Sequence, residues 1–337
     1  MELQVREWGT TEDGRTASRI DVVSDTLTAV LTDYGARLVE LHVPDASGST
    51  ADVVLGYDDL AAYESATPYV GATCGRYGNR IGAGSFRLGE VTHRLDINEA
   101  PNHLHGGRRG FDRLIWDLDV DETAGTITFS LESPDGDQGY PGTVLATTTY
   151  RFEGPVVTIE MTAVTDRTTI VNLVHHSYWN LGGHASGPVV DHELQIEADH
   201  YTPVDDELIP TGELSVVDGT PFDFRTRRPI GDAVAYDHNW VLRTGAAPVR
   251  RAAILRDPGS GRMLTVETTE PGLQFYAGGG LPADLVAKGG GRYGPNAGLA
   301  LETQRFPDSP NHDGFPDATL VPGDRYRHEL VLAFTNG

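Results

Sequence analysis

Short runs of alternating polar and apolar residues, cut at close intervals by Asp-Gly, Pro-Asp and Gly-Gly, fill this chain from "TLTAVLTDYGARLVELHVPD" near its start to "YRHELVLAFTN" near its end. Successive side chains of an extended strand point to opposite faces, so a period of two marks a strand with one buried face. The runs are rich in β-branched and aromatic residues, as in "PVVTIEMTAVTD" and "MLTVETTEPGLQFYAGG", which suits a pleated sheet. "ESPDGDQGYPGT" reads as a hairpin loop, because Pro, Asp and Gly supply the dihedrals of tight turns. The one helical stretch is "YDDLAAYESA", with Asp58 as its cap. The expectation is an all-β protein, a large antiparallel β-sandwich with very little helix. No charge run, linker or repeat divides it, so residues 1–337 read as a single domain. The segment "LPADLVAK", between Gly278–Gly280 and Gly289–Gly291, reads as a mobile surface loop.

Charge narrows the partners. With 26 Lys and Arg against 49 Asp and Glu, the formal net charge is −23, a field that repels phosphate backbones and anionic membranes. Neither nucleic acid nor a membrane is expected, and a small molecule remains. The N-terminus lacks an apolar leader and no long apolar run occurs, so the protein is expected in the cytoplasm, as a monomer or homodimer. The single Cys74 excludes an intrachain disulfide and reads as inert packing.

Polar side chains gather at several strand ends. In "VNLVHHSYWNLGG" (171–183), strand parity puts Val171, Leu173, His175, Ser177 and Trp179 on one face and Asn172, Val174, His176, Tyr178 and Asn180 on the other. The second face is the better wall for a polar cleft, so His176 is the candidate and His175 a hydrogen-bonded core or rim residue. "GRYGNRIGAG" brings Arg76, Asn79 and Arg80 together, and "NHLHGG" sets His103 and His105 two apart, on one face if extended. "YDHNW" offers Asp237 and His238, and "LETQ" places Glu302 and Gln304 on one side of a strand, opposite Leu301 and Thr303. Each cluster alone fits a surface or capping role as well as a functional one.

Taken together, "GRYGNRI", "NHLHGGRRGFD", "DGDQGYPG", "HSYWNLGG", "YTPVDDELIPTGEL", "GTPFDFR", "YDHNWVL", "LQFYAGG" and "LETQRFPDSPN" follow one another in the order of a known family. The sequence resembles the galactose mutarotases (aldose 1-epimerases) over nearly its whole length. The resemblance implies their large β-sandwich, the galactose mutarotase-like supersandwich, and interconversion of the α and β anomers of free hexoses such as glucose and galactose. It implies Glu302 as general base, His176 as general acid and His105 as a histidine close to the reacting centre. Arg80, Asn79, Asp237, Tyr178 and Gln274 would hold sugar hydroxyls. Family members often carry Asn at the position of His175, and "YAGGGLP" departs from their usual Thr-Gly-Asn continuation after the tyrosine.

Anomer exchange breaks and remakes the bond from C1 to the ring oxygen with no electrons lost and no group transferred. An acid–base pair suffices, so no cofactor and no metal are expected. Arg80 near Glu302 would favour the ionised carboxylate. Three other readings compete. "HLH" suggests a metal-dependent β-barrel, but glycines and arginines follow where a third ligand is wanted. A sugar-binding module would keep the pocket without turnover. Arg108 and Arg109 suggest a hexose 6-phosphate, unless they form only a solvated loop surface.

Overall fold

The predicted alternation is visible as burial. In the computed structural model, which describes residues 1–66 and 69–337, strand Val156–Thr165 buries Val157, Ile159, Met161 and Ala163 and turns the residues between them outward. Its neighbours keep the same register: Ile159 lies opposite Tyr150 and Leu330, and Val157 opposite Phe152 and Leu332. Leu332 in turn faces Val266. Such rows run through a nine-stranded antiparallel sheet with Asp117–Asp121 at one edge and Arg228–Pro229 at the other. Burying each large aliphatic side chain of a row contributes about 1.5–3 kcal/mol.

A second, six-stranded sheet runs in the order Tyr178–Trp179, Leu299–Gln304, Gly272–Tyr276, Asp237–Leu242, Ala198–Thr202 and Ser215–Val216. Residues 2–52 form a five-stranded meander. One continuous core joins all three sheets, with Leu31 and Leu41 from the meander, Phe129 and Ile159 from the nine-stranded sheet, and Trp240, Phe275 and Leu301 from the six-stranded one. The all-β sandwich expected from the sequence is therefore what forms. "ESPDGDQGYPGT" is the hairpin loop between the paired strands Thr126–Ser133 and Val144–Glu153, with Gly136 at φ +87. Among the described residues no helix is long and apolar enough to cross a membrane.

Local readings needed correction in three places. The α-helix is only Leu60–Ser65, and its cap is Asp59, whose side chain accepts from the Ala62 N–H at 2.9 Å. Asp58 instead accepts from the Gly289 N–H. The run 171–180 is not one strand but two short ones, Val174–His175 and Tyr178–Trp179, which pair with different partners. Finally, "LPADLVAK" is not simply a surface loop, since Leu281, Ala287 and Lys288 are buried. Cys74 is fully buried, and burial pushes its thiol pKa up, as suits a packing residue.

Candidate active site

Strand Leu299–Gln304 is buried on both faces. Leu299 and Leu301 enter the common core. The opposite face carries Ala300, Glu302 and Gln304, and Glu302 reaches the floor of a cleft of about 770 Å³. Strand register lays out this floor. Glu302 pairs with Gln274 and Gln274 with Asn239, while Ala300 lies between Tyr178 and Tyr276, with Asp237 beyond. Two polar rows thus cross adjacent strands on the side away from the core.

The wall opposite comes from two loops. Asn79 is held at φ +65 with its side-chain oxygen accepting the Arg80 N–H, and its own N–H donates to Nδ1 of His105 at 3.0 Å. His105 itself sits at φ +49, so the extended geometry that would align it with His103 is absent. The next residue explains the glycine pair of "LHGG": a Cβ on Gly106 would stand 1.7 Å from the Gly75 carbonyl oxygen.

His176 lies at the bottom, its ring packed against those of His105, Tyr178 and Tyr69 at centroid distances of 5.1, 5.0 and 5.9 Å. Its Nε2 is 3.5 Å from Oε1 of Glu302. His176 Nδ1 and Glu302 Oε2 are buried with no hydrogen-bond partner. Burial pushes the Glu302 carboxyl well above its usual range, and Asp237 adds to the shift. Burial also holds His176 down to about 4. Arg80 favours the ionised carboxylate of Glu302, as expected, but burial outweighs it. The Arg80 guanidinium is already committed to Glu99 in a bidentate pair at 2.6 and 2.8 Å, and to Asp237 at 3.4 Å. Burial thus disfavours the charged form of both partners. A carboxyl and an imidazole so placed can deliver a proton to one ligand atom and remove one from another.

Of the residues singled out from the sequence, Glu302, His176, His105, Arg80, Asn79, Asp237 and Tyr178 all line the cleft. Gln274 lies just behind, donating to Asp237 at 2.6 Å and accepting from Gln304 at 3.3 Å. Others fall elsewhere. Arg76 is buried and donates to the carbonyls of Ser133, Pro134, Pro141 and Gly142, so it clamps the hairpin loop rather than a ligand. His103 spends both ring nitrogens, on Asp96 O and Tyr140 OH. Arg109 pairs with Asp13 at 2.7 Å, and Arg108 reaches the cleft rim while donating to Ile97 O. His175 faces the core, sharing a 2.7 Å hydrogen bond with Ser177, and burial lowers it to about 3. Glu99 was missed. Nothing local distinguishes it from other loop acids, and only the fold sets it against Arg80.

His105, His176 and Glu302 bring potential metal-ligand atoms within 4.8 Å of one another. The chemistry of His105 does not fit an ion. Its Nδ1 lone pair is taken by the Asn79 N–H, so the neutral ring carries its proton on Nε2 and offers neither nitrogen. His105 is instead a fixed Nε2–H donor, kept neutral by burial and by the neighbouring His176 and Arg80.

Comparison with known proteins places the chain. The family profile described as "Aldose 1-epimerase" matches residues 19–333. Galactose mutarotase from Bos taurus is 41% identical over 326 residues, covering 95% of this chain and 94% of that one. Aldose 1-epimerase from Escherichia coli is 37% identical over 316 residues, covering 89% and 90%. Among solved structures, the GalM/aldose epimerase homologue from C. elegans superposes with a TM-score of 0.89 at 32% identity, covering 95% of this chain and 99% of that one. Galactose 1-epimerase from Lactobacillus acidophilus follows at 0.86 and 28%, covering 100% and 99%. By profile, by identity and by fold, the chain belongs to the aldose 1-epimerase family.

Proposed function

We propose that the protein is an aldose 1-epimerase that interconverts the α and β anomers of free hexoses such as galactose and glucose, with Glu302 and His176 as its acid–base pair. The observation that carries this reading is the 3.5 Å approach of the two side chains at the floor of the cleft, each with one polar atom unpartnered. In the reactive form Glu302 is a carboxylate and His176 an imidazolium. In that form Glu302 takes the proton of the anomeric hydroxyl while His176 protonates the ring oxygen. The C1–ring oxygen bond breaks, the open aldehyde turns about C1–C2, and closure on the other face returns both protons. Sugar hydroxyls replace part of the solvation that burial removed, which favours the charged form.

The surrounding groups divide the remaining work. His105, a fixed Nε2–H donor, supports the oxygen on which charge develops. Arg80, oriented by Glu99, and Asp237, oriented by Gln274, hold hydroxyls, with Asn79 and Tyr178 at the edges of the ring. No step needs a metal or a cofactor. Residues 1–337 act as one unit in this reading, since the site draws on segments as distant as Asn79 and Glu302, and the acidic surface suits the cytoplasm.

The test is polarimetric relaxation of pure α-galactose and α-glucose with wild type, Glu302→Gln and His176→Asn. Losing either positioned proton carrier should slow turnover by about 10²–10⁴-fold. Unimpaired turnover in both variants would remove the mechanism. A wild-type chain that binds sugar without speeding relaxation would make this a sugar-binding module.

A further inference from the structure

The chain has a single lysine, Lys288; the other 25 of its 26 Lys and Arg residues are arginine. That lysine is only 7% exposed. Its ammonium donates to the Val39 carbonyl at 2.8 Å and to the Asp52 carboxylate. The other oxygen of Asp52 accepts the N–H groups of Leu41 at 3.0 Å and Val54 at 3.3 Å. Beside it, the Gly289 N–H reaches both oxygens of Asp58, and the Tyr293 hydroxyl accepts from the Gly56 N–H. The segment 277–298, which links strands Gly272–Tyr276 and Leu299–Gln304, is therefore tied to residues 39–58 at three points.

The other end of this segment walls the cleft. Gly279, Gly280, Leu281 and Pro282 line it, and the Gly280 N–H donates to the Tyr276 hydroxyl at 2.8 Å. Between tether and wall the packing is continuous, because Leu281, Ala287, Tyr293, Val39 and Tyr178 belong to one apolar cluster. The Lys288 ammonium is a compact point charge on a flexible stem, and its donors turn to meet both acceptor oxygens. A buried ion pair is also near break-even for stability, because desolvation offsets most of the attraction. Docking Lys288 thus fixes a position without locking it.

We propose that Lys288 is a latch whose docking on Asp52 sets the position of the Gly279–Pro282 wall, which makes it a positioning residue for sugar binding. This rests on the cleft being the sugar site. Because Lys288 is the sole lysine, an amine-acylating reagent followed by peptide mass mapping reads the undocked state directly, with the N-terminal amine as internal control. Saturating galactose should slow acylation of Lys288 by about threefold or more and leave the N-terminus unchanged, since a ligand that prefers the docked wall shifts the population toward it. Lys288→Met should raise KM about tenfold and hold kcat within about twofold, the signature of lost binding rather than lost chemistry. Sugar-independent acylation, or an unchanged KM in Lys288→Met, would overturn the latch. If Lys288→Met does not fold, the wild-type labelling decides alone. The labelling needs only sugar binding, so a wild type that fails to speed anomer relaxation would overturn the catalytic reading and not this one.

Discussion

Strands Val156–Thr165 and Leu299–Gln304 sit in different sheets of the same sandwich, yet use burial in opposite ways. The first alternates, with one face in the core and the other toward solvent. The second is buried throughout, and its non-core face carries a carboxyl and an amide, Glu302 and Gln304. A buried polar face costs free energy unless every group is paired. In the six-stranded sheet several are not, including Glu302 Oε2 and Asn239 Nδ2. The first face makes the fold, and the second gives up part of that stability to hold polar groups at the cleft.

The contrast can be broken from either side. Ile159→Ala, deep in the nine-stranded sheet, should cost about 2–5 kcal/mol in denaturant unfolding and leave kcat of the folded fraction unchanged. A change in kcat comparable to that of an active-site variant would show that the two faces are not separable. A smaller effect sharpens the contrast within the run 171–180, where neighbouring histidines face opposite ways. Burial lowers His175 to about 3 against an ordinary 6.5. Across that window the unfolded chain binds a proton that the folded chain does not, so stability present above pH 6.5 is lost as the pH falls. His175→Asn should remove about 1.4 kcal/mol per pH unit from that slope, read from unfolding curves between pH 6.5 and 4.5. Turnover at neutral pH should be kept, unlike in His176→Asn. An unchanged slope would mean that His175 is not held neutral.

How much of this was legible in the sequence follows from the same contrast. Alternation needs only neighbours in sequence, so Val156–Thr165 and Tyr326–Asn336 could be read directly. Parity also separated His176 from His175, although the run is two short strands with His176 just beyond the first, because the chain stays extended enough there to turn the two rings to opposite sides. The loops resisted. Arg76 and Arg80 share one glycine-rich motif, and only the fold sends the first into the hairpin loop and the second into the cleft. His103 and His105 diverge because a left-handed residue interrupts the extended chain at His105. Glu99 and Lys288 were unreadable for a related reason: their partners, Arg80 and Asp52, lie 19 and 236 residues away.

The most direct test measures one variant twice. In Glu302→Gln the raised carboxyl is replaced by a neutral amide of the same shape. A raised pKa means that the folded state holds a proton the unfolded state releases, so Glu302 contributes least to stability as the pH rises toward its folded value. The account predicts that Glu302→Gln loses about 10²–10⁴-fold in anomer turnover while its melting temperature at pH 8 matches or exceeds that of wild type. Retained turnover, or a loss of turnover matched by a lower melting temperature, would contradict it.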